Sequence, residues 1–234
     1  LRFDNLHPDV ICASEGGRYE CWSSPVIVHS PSVECRRNPA RATAPRMGND
    51  GVREMGVCYA TSHDGIQWEK PELGLVEFEG SKANNIVMRN MHGAGVVKDE
   101  HDPDPDRRYK LFGLTDGPAV AFSADGLRWS EPVRCAGLDV RADTHNNGCW
   151  VPELNVYAGF SRDWEGGVRQ EVRSTSDDFL NWSAPEVVLQ GEGTSDQVYA
   201  LLPFRHANLY LGLVVIYDGD RDRSWTELAW SPDT

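Results

Sequence analysis

The chain has 234 residues, with 36 Asp and Glu against 23 Lys and Arg and a formal net charge of -13. That length is ordinary for one β domain, and a charge of that sign repels phosphate backbones, which excludes nucleic acid as a partner. The longest apolar run, residues 209–217, is too short to span a bilayer and reads as a buried strand, so no membrane partner is expected.

Taken in chain order, strand-like segments arrive in groups of three, and each group is closed by the same short signature. Segments 8–12, 18–22 and 56–60 lead to Ser62-His63-Asp64-Gly65-Ile66-Gln67-Trp68, followed by Pro71. Segments 95–99, 108–112 and 119–122 lead to Ser123-Ala124-Asp125-Gly126-Leu127-Arg128-Trp129 and Pro132. Segments 148–151, 156–160 and 170–173 lead to Ser176-Asp177-Asp178-Phe179-Leu180-Asn181-Trp182 and Pro185. A fourth group, 197–201, 209–213 and 226–230, reaches Ser231-Pro232-Asp233. The serines are 61, 53 and 55 residues apart, the period of a four-stranded propeller blade.

The chemistry of the signature is that of a turn. An Asp carboxylate accepts backbone N–H bonds two residues on, and Gly relieves a position of positive φ. The Trp then folds over the turn and buries its ring between blades, and the Pro opens an edge strand where no ladder N–H is needed. The repeated Ser, Asp and Trp are therefore read as scaffold. Turn residues at 15–17, 102–106, 153–155 and 206–208 join the first two strands of successive units, and no stretch keeps a helical apolar period. The expectation is an all-β, five-bladed β-propeller of four-stranded antiparallel blades, incomplete here with about four blades visible. It is read as a single domain over 1–234, the N-terminal portion of a longer chain.

One insertion, residues 30–54, carries Arg36, Arg37, Arg41, Arg46 and Arg53 on an otherwise acidic chain. It reads as a solvated loop, or as one that holds a carboxylate or sulfate on a ligand. The cysteines Cys12, Cys21, Cys35, Cys58, Cys135 and Cys149 contain no C-x-x-C pair, which argues against a zinc knuckle. Cys12 and Cys21 face each other across a hairpin or stay free. No basic and then apolar leader opens the chain; the compartment is left unassigned, leaning to secreted or periplasmic. Eight Trp with 22 Gly and 14 Pro suit a β protein that binds flat, hydroxylated ligands such as sugars.

The run 59–71 with Gly80-Ser81-Lys82-Ala83-Asn84-Asn85-Ile86-Val87, together with Asp143-Thr144-His145-Asn146, Arg173 to Trp182, and Asp196 before Tyr199, resembles the five-bladed propellers of the arabinanase and β-fructosidase type glycoside hydrolases. The resemblance implies a pocket on the propeller axis, with two carboxyl groups flanking the glycosidic bond and a third tuning them. The matching positions are Asp143, Asp196 and Asp9 as catalytic carboxylates. His7, occupying the place before Pro8 where the arabinanase type carries Asp, joins His92, His145, Asn146 and Trp150 as substrate contacts; the third-blade Glu-Gly-Pro of that type is absent. Asn84 and Asn85 offer further amides, and Asp99 and Glu153 read as turn carboxylates at the far ends of inner strands. The histidines, with Asp143 or Asp196, fall where they can meet ligand hydroxyls or an axial metal ion, but no metal or other cofactor is assigned.

Three functions follow. The first is hydrolysis of a terminal sugar of an oligo- or polysaccharide. The second is carbohydrate binding without catalysis. The third is a sialidase-like activity, suggested by likeness of the signature to the Asp-box, which has one more residue between its Asp and Gly. The partner in every case is a carbohydrate ligand, and the oligomeric state is not assigned.

Overall fold

A computed structural model describes residues 8–12, 17–28 and 53–233, apart from the side chains of Pro8, Asp9, Cys12, Val28 and Arg53. His7, the side chain of Asp9, the turn residues Glu15 and Gly16, and residues 30–52 of the arginine-bearing insertion lie outside the described residues. The fold is an all-β propeller with four blades of antiparallel strands and, among the described residues, a single 3-10 turn, Pro105–Arg107. A fifth blade is not among them. The chain falls into two compact units, one holding the first blade and the other holding blades two to four.

In the first unit β1 (Pro8–Cys12) pairs with β2 (Tyr19–Ser23), which continues after a break at Ser24 and Pro25 as β3 (Val26–Val28). Both pair with one edge of β4 (Arg53–Ser62), and β5 (Ile86–Arg89) takes its other edge. Cys21 is set opposite Val10, while Cys12 lies opposite Tyr19. The two cysteines are thus not cross-strand partners. Glu54, buried, forms a two-pronged ion pair with Arg89 at 2.5 Å on each prong, which satisfies both oxygens of a carboxylate that would otherwise be stranded.

The second unit holds blade 2 as β6 (His92–Lys98), β7 (Tyr109–Leu114), β8 (Pro118–Ser123) and β9 (Val133–Arg134), with His92 itself counted to the first unit. Blade 3 is β10 (Asn147–Val151), β11 (Val156–Glu165), β12 (Val168–Ser176) and β13 (Glu186–Gln190), and blade 4 is β14 (Gln197–His206), β15 (Leu209–Asp218) and β16 (Arg223–Ser231). Blades 2 and 3 close on Phe112, Val120, Tyr157, Val172, Phe179 and Trp182. Blades 3 and 4 close on Val151, Ala158, Phe160, Val198, Leu201, Tyr210, Val214 and Ile216. Alternation along each strand feeds these two seams, one from each face of blade 3.

The repeated signature is a hydrogen-bonded turn, formed alike in each copy. The Ser hydroxyl accepts from the next two turn amides, at 3.2 and 2.9 Å from Asp64 and Gly65, and donates to the Asp carboxylate. That carboxylate accepts from Ile66 and Gln67 at 2.8 and 2.7 Å, and Asp178 accepts from Leu180 and Asn181 at 2.8 Å each. The backbone bonds hold Asp64 below the usual carboxylate range. In Asp178, burial opposes them and loses, and the carboxyl falls to about 2. Ser231 and Asp233 already make the opening bonds of the same turn. Trp182 is buried and stacks on Phe112 of the neighbouring blade, with ring centroids 5.3 Å apart, and Gly159 beneath it leaves the room: a Cβ there would stand 2.6 Å from the indole.

At the end of β6, Asp99 is not a solvated turn carboxylate. It is buried, 2.7 Å from the Lys110 ammonium, and accepts from the Tyr157 hydroxyl at 2.5 Å. Lys110 is fully buried as well and also bonds Asp102 at 2.9 Å and the Arg107 carbonyl at 2.8 Å. The three donors and acceptors complete one another, which is the condition for charges to sit inside a protein. Glu153 does stand exposed at its turn, bonded to Arg205 and Tyr210.

Candidate functional site

The segment before β10 is clamped by backbone contact. Gly93 and Gly95 of β6 lie so close to it that a Cβ would come within 1.8 Å of the Thr144 carbonyl oxygen and 2.1 Å of the Asn146 carbonyl oxygen. Asn146 donates its amide to the carbonyls of Gly93 at 2.9 Å, Thr144 at 2.9 Å and Ala142 at 3.2 Å, and accepts from Ser161 at 2.9 Å. These bonds engage the amide in holding the loop. His145 is fully buried, its Nε2 2.7 Å from Asn147 Oδ1, and Asn147 in turn donates to the Leu201 carbonyl of blade 4 at 2.8 Å.

The result is that Asp143 is fixed at the mouth of β10. There Arg162 of β11, 3% exposed, binds it through Nε at 2.9 Å and through Nη2, while its Nη1 donates to the Tyr199 carbonyl at 3.4 Å. Tyr199 is the extra residue of a bulge in β14, which turns its ring over the Arg162 guanidinium, 4.5 Å away.

Beside this pair stands a second guanidinium. Arg169 of β12 faces Trp164 across the β11–β12 hairpin and lies 4.2 Å from its ring centroid, 4.8 Å from that of Tyr217 and 5.5 Å from that of Tyr199. It donates to Gln197 Oε1 at 2.8 Å, and Gln197 donates to the Thr194 carbonyl at 3.0 Å. Burial, then the charge of Arg162, pull Arg169 below its ordinary value. Glu171, opposite Arg162 in the ladder, is fully buried, and neither of its carboxylate oxygens has a hydrogen-bond partner. Burial pushes this carboxyl well above the usual range, against the pull of Arg162.

Asp196 is exposed on the loop before β14, which is tied down by the Gly219 amide on the Thr194 carbonyl at 2.8 Å and the Thr194 hydroxyl on Asp220 at 2.8 Å. Asp143 thus precedes β10 and Asp196 precedes β14, and Arg162, Tyr199, Arg169 and Gln197 form a continuous set of contacts from Asp143 to the start of β14. Trp150 lies at the other end of β10, stacked on His101 with centroids 5.2 Å apart and edge-on to Tyr157. His92 is buried at the start of β6, and Asn84 and Asn85 bond backbone carbonyls within the first unit. Among the described residues no three His, Cys, Asp or Glu side chains gather so as to hold a metal ion.

The sequence reading passed over Arg162, Trp164, Arg169, Glu171 and Tyr199. It ended the second strand of blade 3 at residue 160, but the strand runs on to Glu165 and turns at Gly166 and Gly167, both of positive φ. The signal was present. Gly-Gly flanked by Arg162, Trp164, Arg169 and Glu171 at period two is a hairpin whose one face carries charges and an aromatic ring.

No family model matches the chain, and no curated protein matches it. Solved structures do. An N-acetylgalactosamine deacetylase from F. plautii, crystallised with blood group B trisaccharide, aligns at TM-score 0.57 and 15% identity, covering 97% of this chain and 72% of its own. The catalytic domain of the GH62 α-L-arabinofuranosidase of Coprinopsis cinerea aligns at TM-score 0.58 and 14% identity, covering 98% and 65%. A GH43 endo-arabinanase from Bacillus licheniformis aligns at TM-score 0.56 and 12% identity, covering 96% and 71%. The chain thus spans about two thirds of the length of these structures. The likeness to the arabinanase and β-fructosidase propellers suggested by the runs at 59–71, 80–87 and 143–146 is found at the level of fold.

Proposed function

We propose that the chain is a glycoside-hydrolase-type propeller acting on a terminal sugar of an oligo- or polysaccharide, with Asp143 and Asp196 sharing the acid, base or nucleophile roles and Asp9 as the third carboxylate. What supports this reading is that Asp143 and Asp196 lie just before the inner strands β10 and β14, and that Arg162 bonds both Asp143 and the Tyr199 carbonyl of β14. Two carboxyl groups that flank a glycosidic oxygen supply the proton for the leaving group and the attack on the anomeric carbon. Arg162 restrains Asp143, so the carboxylate meets the substrate in one orientation rather than sampling many. The structural neighbours that act on arabinosides and fructosides share the fold, which supports the class of chemistry and leaves the sugar to experiment.

The count of five blades belongs to the same proposal. Each seam in the second unit is formed by apolar faces of two blades, and the face of blade 4 turned away from blade 3 is apolar too.

The test is hydrolysis of a panel of aryl glycosides, neutral pentosides and hexosides together, by the wild type and by Asp143→Asn and Asp196→Asn. Each variant is expected to lose activity by at least about a hundredfold with its melting temperature close to the wild type. Full activity in both would end the assignment. A second reading, sugar binding without turnover, is favoured by His7 standing where the arabinanase type has Asp; it gains if every substrate binds and none is cleaved.

A further inference from the structure

Among the described residues, one half-buried cationic group has no carboxylate partner. Arg162 is matched by Asp143, Arg89 by Glu54, and Lys110 by Asp99 and Asp102. Arg169 is half-buried, yet among the described residues no carboxylate comes within ion-pair distance of it, and its Nε is buried with no hydrogen-bond partner. Its only side-chain acceptor is the neutral Gln197 oxygen. Glu171, two residues along the same strand, is sealed away from solvent. With Arg162 taken up by Asp143, Arg169 remains a guanidinium without a carboxylate of its own, on a protein whose net charge is -13. Three rings, Trp164, Tyr199 and Tyr217, surround the guanidinium and are themselves half-buried. A desolvated guanidinium with free fork positions and an aromatic wall suits a small planar anion on an otherwise apolar-faced ring.

The geometry points to a carboxylate subsite at Arg169, walled by Trp164, Tyr199 and Tyr217, that takes the carboxyl group of a uronic acid residue at the mouth of blades 3 and 4. This rests on the glycoside-hydrolase reading above and narrows its substrate to acidic sugars. A carboxylate fits better than a phosphomonoester. It presents two coplanar oxygens to the planar fork, and it brings one negative charge rather than nearly two towards an acidic chain. Asp196 at the rim opposes any anion that is not seated on the guanidinium, so the subsite discriminates by position and not by overall attraction.

The experiment uses the whole chain with D-galacturonate and D-glucuronate as probes, and D-galactose and D-glucose as their neutral counterparts, followed by calorimetry and by saturation-transfer NMR at low ionic strength. The uronates are expected to bind at least about tenfold more tightly than the neutral sugars. Arg169→Gln is expected to erase that difference, and Arg173→Gln, which removes an equal charge from the same strand where it pairs with exposed Glu186, is expected to leave it intact. If the glutamine variant does not fold, Arg169→Lys serves: it keeps the charge, loses the fork, and should weaken uronate binding several-fold. Equal affinity for acidic and neutral sugars, no uronate binding at all, or equal losses in the Arg169 and Arg173 variants would each overturn the subsite. A chain that cleaves neutral glycosides and ignores uronates refutes this subsite alone. One that binds uronates and cleaves nothing refutes the catalytic reading alone.

Discussion

At the position where two copies of the repeat place Gly65 and Gly126, with φ of 75° and 72°, the third places Phe179 with φ of 64°. A bulky side chain in that region carries a backbone cost of roughly 1–2 kcal/mol. What offsets it is burial. Phe179 is 0% exposed and meets Phe112, Phe122, Tyr157 and Trp182 edge to face at the seam of blades 2 and 3. Truncation should therefore cost more than the strain it relieves: Phe179→Ala is expected to destabilise by about 3–5 kcal/mol. Phe179→Gly deletes one carbon more, yet it is expected to be less damaging than alanine by up to about 1 kcal/mol, because glycine accepts the left-handed backbone. Urea unfolding of the two variants decides the order; alanine more stable than glycine would mean that the turn carries no strain. The same accounting shows why Asn146 was hard to read from sequence. An amide before a strand suits a ligand or a turn equally, and only the four bonds it makes here assign it to the loop.

Between elements, the buried charges of blade 2 set how the protein responds to acid. Burial alone would raise the Asp99 carboxyl, but the Lys110 ammonium, the Tyr157 hydroxyl and the His101 amide outweigh it and hold it below its ordinary value; Asp102 is lowered in the same way. A carboxyl depressed in the folded state contributes stability that is fully present above its unfolded value of about 4, and that contribution is lost as pH falls through the lowered folded value. Melting temperature should accordingly hold from neutrality down to about pH 4 and fall below it. Lys110→Met removes the partner and strands Asp99, so it should cost about 3–5 kcal/mol near neutrality. The penalty should shrink on acidification, because a stranded Asp99 takes up a proton that wild-type Asp99 refuses. Melts of both proteins across that pH range test it, and a penalty independent of pH would place the loss in packing alone. Legibility in the sequence divides along the same line. The strands and the Ser-Asp-Trp turns were readable because period two and turn chemistry are local. Lys110 with Asp99, and Arg162 with Asp143, were not, because each pairing is made by strand register across 11 to 19 residues and by burial. Arg162 was also hidden by a strand assigned too short.

For the molecule as a whole, the unusual surface is the face of blade 4 turned away from blade 3. In-register pairs put Leu202, Leu213 and Leu228 in one row and Phe204, Leu211 and Trp230 in the next. Of these, Leu228 and Trp230 are each 68% exposed, and among the described residues β16 pairs on one edge only. An apolar face bounded by an open edge strand is the arrangement most prone to pairing with whatever sheet it meets. The net charge of -13 opposes that association over a distance of about 10 Å at ordinary salt, so the two effects compete and salt decides between them. Self-association of the chain should rise as salt screens the charge, which distinguishes an apolar contact from an ionic one. Leu228→Lys with Trp230→Lys sets two cations on the face without touching the seam with blade 3, whose residues alternate with these along the strands. Sedimentation velocity is expected to show the double variant monomeric at salt concentrations where the wild type associates. If the variant associates as strongly, the contact lies elsewhere and the face is covered within the molecule.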